Sequence, residues 1–484
     1  MDQSRAPLYE AVKKYIKKEM VPFHMPGHSQ GRGAPVSLKR IFGKEFFDFD
    51  LTEVSGLDYL HHARGVIKEA EALAADLYKV KRTFFLVNGT TAGVHAMILA
   101  TCKEGEKIIV GRNSHRSVIG GIIVSGANPV FVHPAFNEDY GIITNLTPED
   151  LEETIKKNRD AKAVLITTPN YYGFQGNIKK LIDIAHKYGM YALVDEAHGA
   201  HFPFNEKFPK SAIYYGADMV VQSAHKTLPT LTQTSLLHIV SDKINADAVE
   251  QSLAVIETSS PSYIFMTFLD VVRREMALHG KELWDRAIEI AEYAREKISE
   301  LPGYRIVDEN IVNGNDISAF DPIKLTINVE DLGFSGFAFE SFLNKNGIEI
   351  ELSDLQNVLL FITIGNRKSD IDSLVKVLEK AEKKKTKKRE KMPPFPVAGK
   401  QVFSPNDAFN MDYEIKEISE TEGLVSWGIV APYPPGIPIL APGMEIDSDA
   451  ISFIKTMYKK GGMIQGAIED GNKIYVRVIR GGRK

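Results

Sequence analysis

The chain has 484 residues, 44% hydrophobic, 25% charged and 9% aromatic, a globular composition long enough for about two to four domains. Its 59 Lys plus Arg nearly balance 63 Asp plus Glu, a net charge of −4, so no global field favours nucleic acid or an anionic membrane. A single cysteine, Cys102, excludes an intramolecular disulfide and argues against a cysteine-built zinc site, and no apolar run approaches the ~20 residues of a membrane helix.

Residues 1–60 begin polar, without the apolar core of a signal peptide, which points to the cytoplasm. They are rich in turn residues, among them Pro22, Pro26, Gly27 and Gly31, yet carry Phe23, Phe42, Phe46, Phe47 and Phe49. That combination predicts an N-terminal arm packed on something else. Residues 61–300 read as a large α/β domain. Apolar runs at 107–110, 163–167, 192–194 and 219–221 suit strands buried on both faces. Between them, 148–158 and 178–188 have helical periodicity, the second with Ile178, Leu181, Ile182 and Ala185 on one face and Gly189 as its stop. This alternation predicts a mostly parallel sheet with helices on both faces. Residues 240–300 are helix-rich, including an amphipathic stretch at 282–298. A smaller α+β domain follows at 301–382, then a basic and Pro-containing linker at 383–395, then a C-terminal unit at 396–484. The basic run is read as a solvated helix end rather than a polyanion tether.

Four short segments carry chemistry, three of them just after predicted strands, where open parallel sheets gather their ligands. Asn88-Gly-Thr-Thr-Ala-Gly93 puts Thr90 and Thr91 at a helix N-terminus suited to an anion. Asn113-Ser-His-Arg116 places His115 at a strand end. Val194-Asp-Glu-Ala-His-Gly-Ala-His201 ends a buried strand on Asp195, a carboxylate that requires a donor or cation there. Its Asp-Glu-Ala-His string spells a helicase box, but no Gly-x4-Gly-Lys-Ser/Thr accompanies it. A metal held by Asp195, His198 and His201 is the lesser alternative, and none is expected. Gln222-Ser-Ala-His-Lys-Thr227 brings Ser223, His225 and Lys226. Together these meet the needs of pyridoxal 5′-phosphate: an amine for its aldehyde, hydroxyls for its phosphate, a flat ring partner and a carboxylate for the pyridine nitrogen.

With those residues in view, the sequence resembles the Orn/Lys/Arg decarboxylase family of fold-type I enzymes, in the short bacterial form that has no N-terminal wing domain. Phe23-His-Met-Pro-Gly-His28, Gly56-Leu-Asp-Tyr-Leu-His-His62, Phe85-Leu-Val-Asn-Gly-Thr-Thr91, Asp195 to His201, Ser223 to Leu228 and Pro432-Tyr-Pro-Pro-Gly-Ile-Pro438 carry the resemblance. It implies a Schiff base at Lys226, Asp195 on the pyridinium, His115 stacked on the ring and His198 near its O3′ side. Thr90, Thr91 and Ser223 would hold the phosphate, with His225 near phosphate or substrate. The segment Glu257-Thr-Ser-Ser-Pro-Ser262 resembles one that reaches a cofactor across a dimer interface, so a homodimer or an assembly of dimers is implied. The implied reaction decarboxylates arginine or lysine, or else ornithine, to agmatine, cadaverine or putrescine plus CO2. Glu53 and Asp58 are candidate contacts for the basic substrate, or else structural pairing residues. Ser29 and Met444 depart from the family pattern. The rivals are an aminotransferase or aldolase of the same fold, or a non-catalytic regulator.

Overall fold

The computed structural model describes all residues except 384–394, 434–435 and 482–484. Most of the basic linker, and Pro434 and Pro435 of the C-terminal motif, therefore lie outside the described residues. The strands that matter here are β1 (Arg82–Leu86), β2 (Lys107–Gly111), β3 (Asn128–Val132), β4 (Ala163–Thr167), β5 (Tyr191–Asp195), β6 (Met219–Gln222), β7 (Ser235–Ile239), β8 (Lys324–Asn328) and β9 (Asn357–Phe361). The chain forms two compact units. The first comprises Met1–Ala100, Glu196–Asn205 and Ser211–Glu282; the second comprises Thr101–Asp195, Glu206–Lys210 and Leu283–Lys484.

In the first unit β7 pairs antiparallel with both β1 and β6, in register Leu86↔Ser235 and Leu236↔Gln222. Sequence reading does not anticipate β7, because Ser235 and His238 interrupt its apolar run. Both are fully buried, and His238 Nδ1 bonds the Thr83 hydroxyl at 2.9 Å across the sheet. Helix Gly89–Thr101 packs closely, since a Cβ on Gly93 would fall 2.4 Å from the Val221 side chain. The N-terminal arm is pinned by a buried Asp270–Arg273 pair: Asp270 accepts from Leu8 N at 2.9 Å and Arg273 donates to Gln3 O at 2.9 Å. Further along the arm Phe23 is 96% and Ile41 72% exposed.

In the second unit β3, β2, β4 and β5 form a parallel array, with Ile108↔Ala163 and Thr167↔Asp195 in register. Ile108, Ile109, Val164, Leu165, Leu193 and Val194 are all buried, as an array covered on both faces requires. The crossover helices start and stop on sequence signals. Thr147 caps Pro148–Lys157, Asn177 caps Ile178–Lys187, and Gly189 follows at φ 75°. The predicted helix 282–298 is the end of a single 37-residue helix, Tyr263–Ser299. Antiparallel β8 and β9 centre the α+β portion. The C-terminal portion buries Val430, Leu440, Phe453, Ile454 and Val476 around helix Ser448–Lys459.

Candidate active site

The turn leaving β1 is built by side chains distant in sequence. Glu257 Oε1 accepts from Val87 N at 3.0 Å and Asn88 N at 3.1 Å, and Gln233 O accepts from Gly89 N at 2.8 Å. Gly89 takes φ 70°, which a side chain would resist. The next residue, Thr90, sets its hydroxyl 2.5 Å from Ser223 Oγ and 2.8 Å from Ser235 Oγ. Three hydroxyls thus converge at the N-terminus of a 13-residue helix, where unsatisfied amides and the helix dipole favour an anion. Thr91 is exposed on the same turn. Ser235, Gln233 and the side-chain role of Glu257 escape sequence reasoning, since each acts on a residue more than a hundred positions away.

In the same unit the short helix Ala224–Thr227 carries His225 and Lys226. Lys226 Nζ lies 3.0 Å from His198 Nε2, and His198 is buried. His225 Nδ1 is 2.9 Å from Thr234 O, so it donates there and its other nitrogen is the deprotonated one in the neutral ring. Glu196 accepts from Ser211 Oγ at 2.5 Å, Ala212 N at 2.8 Å and Gln222 Nε2 at 2.7 Å, so the helicase-like glutamate is a structural anchor. Asp58 is a capping residue. Its carboxylate accepts from Gly65 N at 2.6 Å and Ile67 N at 3.2 Å at the start of helix Val66–Tyr78. Glu53 is exposed and hydrogen-bonded by the neighbouring Thr52 hydroxyl.

In the second unit Asp195 closes β5 and is 3% exposed; its carbonyl accepts from Thr168 N at 3.0 Å. Past the end of β2, His115 caps helix Arg116–Ser125, its Nδ1 accepting from Ser117 N at 3.2 Å and lying 2.9 Å from Ser117 Oγ. That fixes the ring. The C-terminal portion meets it there, because a Cβ on Gly436 would sit 3.9 Å from His115 Cδ2 and 3.4 Å from the Tyr433 ring. Arg112 secures this approach by donating to Ile439 O at 2.6 Å and to Pro438 O. Burial pushes its guanidinium down to about 10, with Asp447 opposing the shift. Burial, then the nearby Tyr433, Glu351 and Asp195, raise the Tyr171 phenol. Among the described residues no cluster of three His, Cys, Asp or Glu is arranged to hold a metal.

The model for "Orn/Lys/Arg decarboxylase, major domain" matches residues 6–370, and that for the C-terminal domain matches 389–480. The chain is 35% identical to the arginine decarboxylase of Bacillus subtilis over 99% of both chains. It is 24% identical to the lysine decarboxylase of Hafnia alvei over 96% of this chain and 76% of that one. Among solved structures, the lysine decarboxylase of Francisella novicida superposes with a TM-score of 0.84 at 22% identity, covering 98% of this chain and 81% of that chain, which shows the same fold. With the family matched along nearly its whole length on a shared fold-type I α/β architecture, this chain belongs to the Orn/Lys/Arg decarboxylase family and is an amino-acid decarboxylase.

Proposed function

We propose that the protein decarboxylates a basic amino acid with pyridoxal 5′-phosphate, arginine ahead of lysine and ornithine, releasing CO2 and the corresponding amine. The observation that carries this reading is the Lys226–His198 contact in the same unit as the hydroxyl cluster of Thr90, Ser223 and Ser235. The residues fit the cofactor: a lysine amine beside an imidazole, an anion cradle, a buried strand-end carboxylate and a fixed aromatic ring. When bound, that cofactor supplies an electron sink for the pair released as the Cα–carboxylate bond breaks.

Lys226 is the amine that would hold the cofactor aldehyde, with His198, 3.0 Å from Nζ, placed to orient it and to receive or return its proton. Asp195 is the carboxylate that would hold a proton at the pyridine nitrogen, and its burial would strengthen that pairing. His115 offers its ring face, fixed by the Ser117 contacts. Thr90 and Ser223, with Ser235 behind Thr90 and Thr91 on the next position, hold the phosphate. His225, its Nδ1–H held by Thr234 O, would present its other nitrogen to take up a proton and pass it on to Cα. For the distal cation Glu53 and Asp58 remain the candidates, with Glu53 ahead because the Asp58 carboxylate already accepts from the amides of Gly65 and Ile67, and a guanidinium is held best by a carboxylate that can accept from both of its nitrogens.

Arginine is favoured because relatives named arginine decarboxylase match at 34–36% identity along the whole chain, and those named lysine decarboxylase at 22–24%. We further propose a cytoplasmic homodimer in which the exposed arm around Phe23 and Ile41 is covered by a second copy. No helix among the described residues is long and apolar enough to cross a membrane. The test is release of labelled CO2 from carboxyl-labelled arginine, lysine and ornithine, with absorbance followed as each is added. Arginine is expected to be consumed fastest; amino-group transfer without CO2 release would overturn the reading.

A further inference from the structure

Three successive backbone N–H groups, those of Val87, Asn88 and Gly89, have acceptors inside the protein, supplied by Glu257 and Gln233. A helix N-terminus ordinarily offers its leading amides to any anion. Here the anion-facing part of the turn begins only at Thr90. Both acceptors are unusual. Glu257 is 7% exposed: its backbone closes helix Ala246–Ile256, while its side chain turns to the end of β1. Gln233 holds φ 77°, a conformation that strains a non-glycine residue and persists only where the surroundings enforce it. In that conformation its carbonyl is delivered to Gly89 N. A cavity of about 280 Å³ beside the turn is lined by Val87, Asn88, Gln233, Thr258, Ser260, Ser262 and Phe265.

We propose that Glu257 and Gln233 are positioning residues for the cofactor phosphate: by fixing the three amides they aim Thr90 at the anion. They act through the turn and do not themselves touch the phosphate. This rests on the reading of Thr90, Ser223 and Ser235 as the phosphate cradle. It differs from a purely structural role in what it predicts, because only binding that uses the phosphate depends on the aim of Thr90.

The experiment compares two ligands on the full-length protein stripped of cofactor: pyridoxal 5′-phosphate, and pyridoxal, which has the same ring and aldehyde but no phosphate. Equilibrium binding is followed by absorbance. Glu257→Ala is expected to weaken the phosphorylated ligand about tenfold, the scale of losing one to two charge-assisted hydrogen bonds, and pyridoxal by less than about twofold. Glu257→Gln keeps an oxygen for both amides and should restore affinity to within about threefold. Gln233→Gly keeps the carbonyl but frees its direction, and should cost about threefold for the phosphorylated ligand alone. This second variant decides the matter if Glu257→Ala does not fold. Equal losses for both ligands, or no loss in either variant, would overturn the proposal. Thr90→Val separates the two readings. If it leaves the preference for the phosphorylated ligand intact, the cradle itself is misassigned. If it removes that preference while Glu257→Ala and Gln233→Gly do not, the positioning role alone fails.

Discussion

The turns after β1 and β2 solve one problem in opposite ways. After β1 the backbone supplies the donors, and Glu257 and Gln233 bring acceptors to it. After β2 the side chain of Arg112 supplies the donors, and the acceptors are the carbonyls of Pro438 and Ile439, more than three hundred residues on. The first arrangement shapes a backbone for an anion. The second leaves its own backbone alone and secures another segment beside a histidine ring. A loop can therefore be made precise either by being held or by holding, and the two fail differently when a side chain is removed.

The largest expected effect lies outside both turns and calibrates them. Lys226→Ala should abolish turnover and the cofactor's covalent absorbance band, and Asp195→Asn should lower kcat by about 10³-fold or more while much of the cofactor binding remains. A near-normal rate in either variant would remove the chemistry that both turns are said to serve. Next comes Arg112→Met, which leaves two buried carbonyls without donors and should cost about 2–4 kcal/mol in a denaturant melt. The two turns act separately if the Arg112→Met protein keeps the parent's preference for phosphorylated over unphosphorylated cofactor, and they do not if that preference collapses as in Glu257→Ala.

A third expectation concerns pH and the holding of β1. Glu71 accepts from Phe85 N at 3.0 Å, two positions before the residues that Glu257 and Gln233 secure. Burial pushes its carboxyl up to about 8, and that of Glu257 to about 7, from the usual 4.5. The folded protein therefore binds these protons more tightly than the unfolded chain. The stabilisation is complete below about 4.5 and is withdrawn as the pH rises through 7 to 8. The melting temperature should fall over that interval, and Glu71→Gln should flatten the slope; an unchanged slope would contradict it. The smallest effect is expected for Glu53→Gln, a rise of about tenfold in KM for arginine with kcat within about twofold, measured by initial rates.

What the sequence made legible follows from how far each signal reaches along the chain. β2, β4 and β5 are burial on two faces written as consecutive apolar residues, and Asn177 and Gly189 mark a helix within a dozen positions. β7 is hidden because its buried polar residues are satisfied by partners distant in sequence, His238 by Thr83 across the sheet and Ser235 by Thr90 at the start of a helix. Helix Val36–Phe49 is obscured by Gly43, which breaks it at φ 75°. At the site, Thr90, Ser223, His198 and Lys226 stand in short recognisable strings. The bonds that set their geometry do not, since Thr90 meets Ser235 across 145 positions and Val87 meets Glu257 across 170. Asp58 shows the other side of this: it sits in a conspicuous motif, and of the two roles open to it in the sequence the structure displays the local one, its carboxylate accepting from Gly65 N.

Arg112 also bears on inheritance. A buried guanidinium whose acceptors belong to residues 438 and 439 ties the fate of the catalytic body to that of its last hundred residues. A shortened gene, or a chimera carrying a tail from a distant homologue, would strand a cation in an apolar interior beside His115. The C-terminal portion is in that sense no detachable accessory, and swaps between homologues should succeed only when they carry both ends of this tether together.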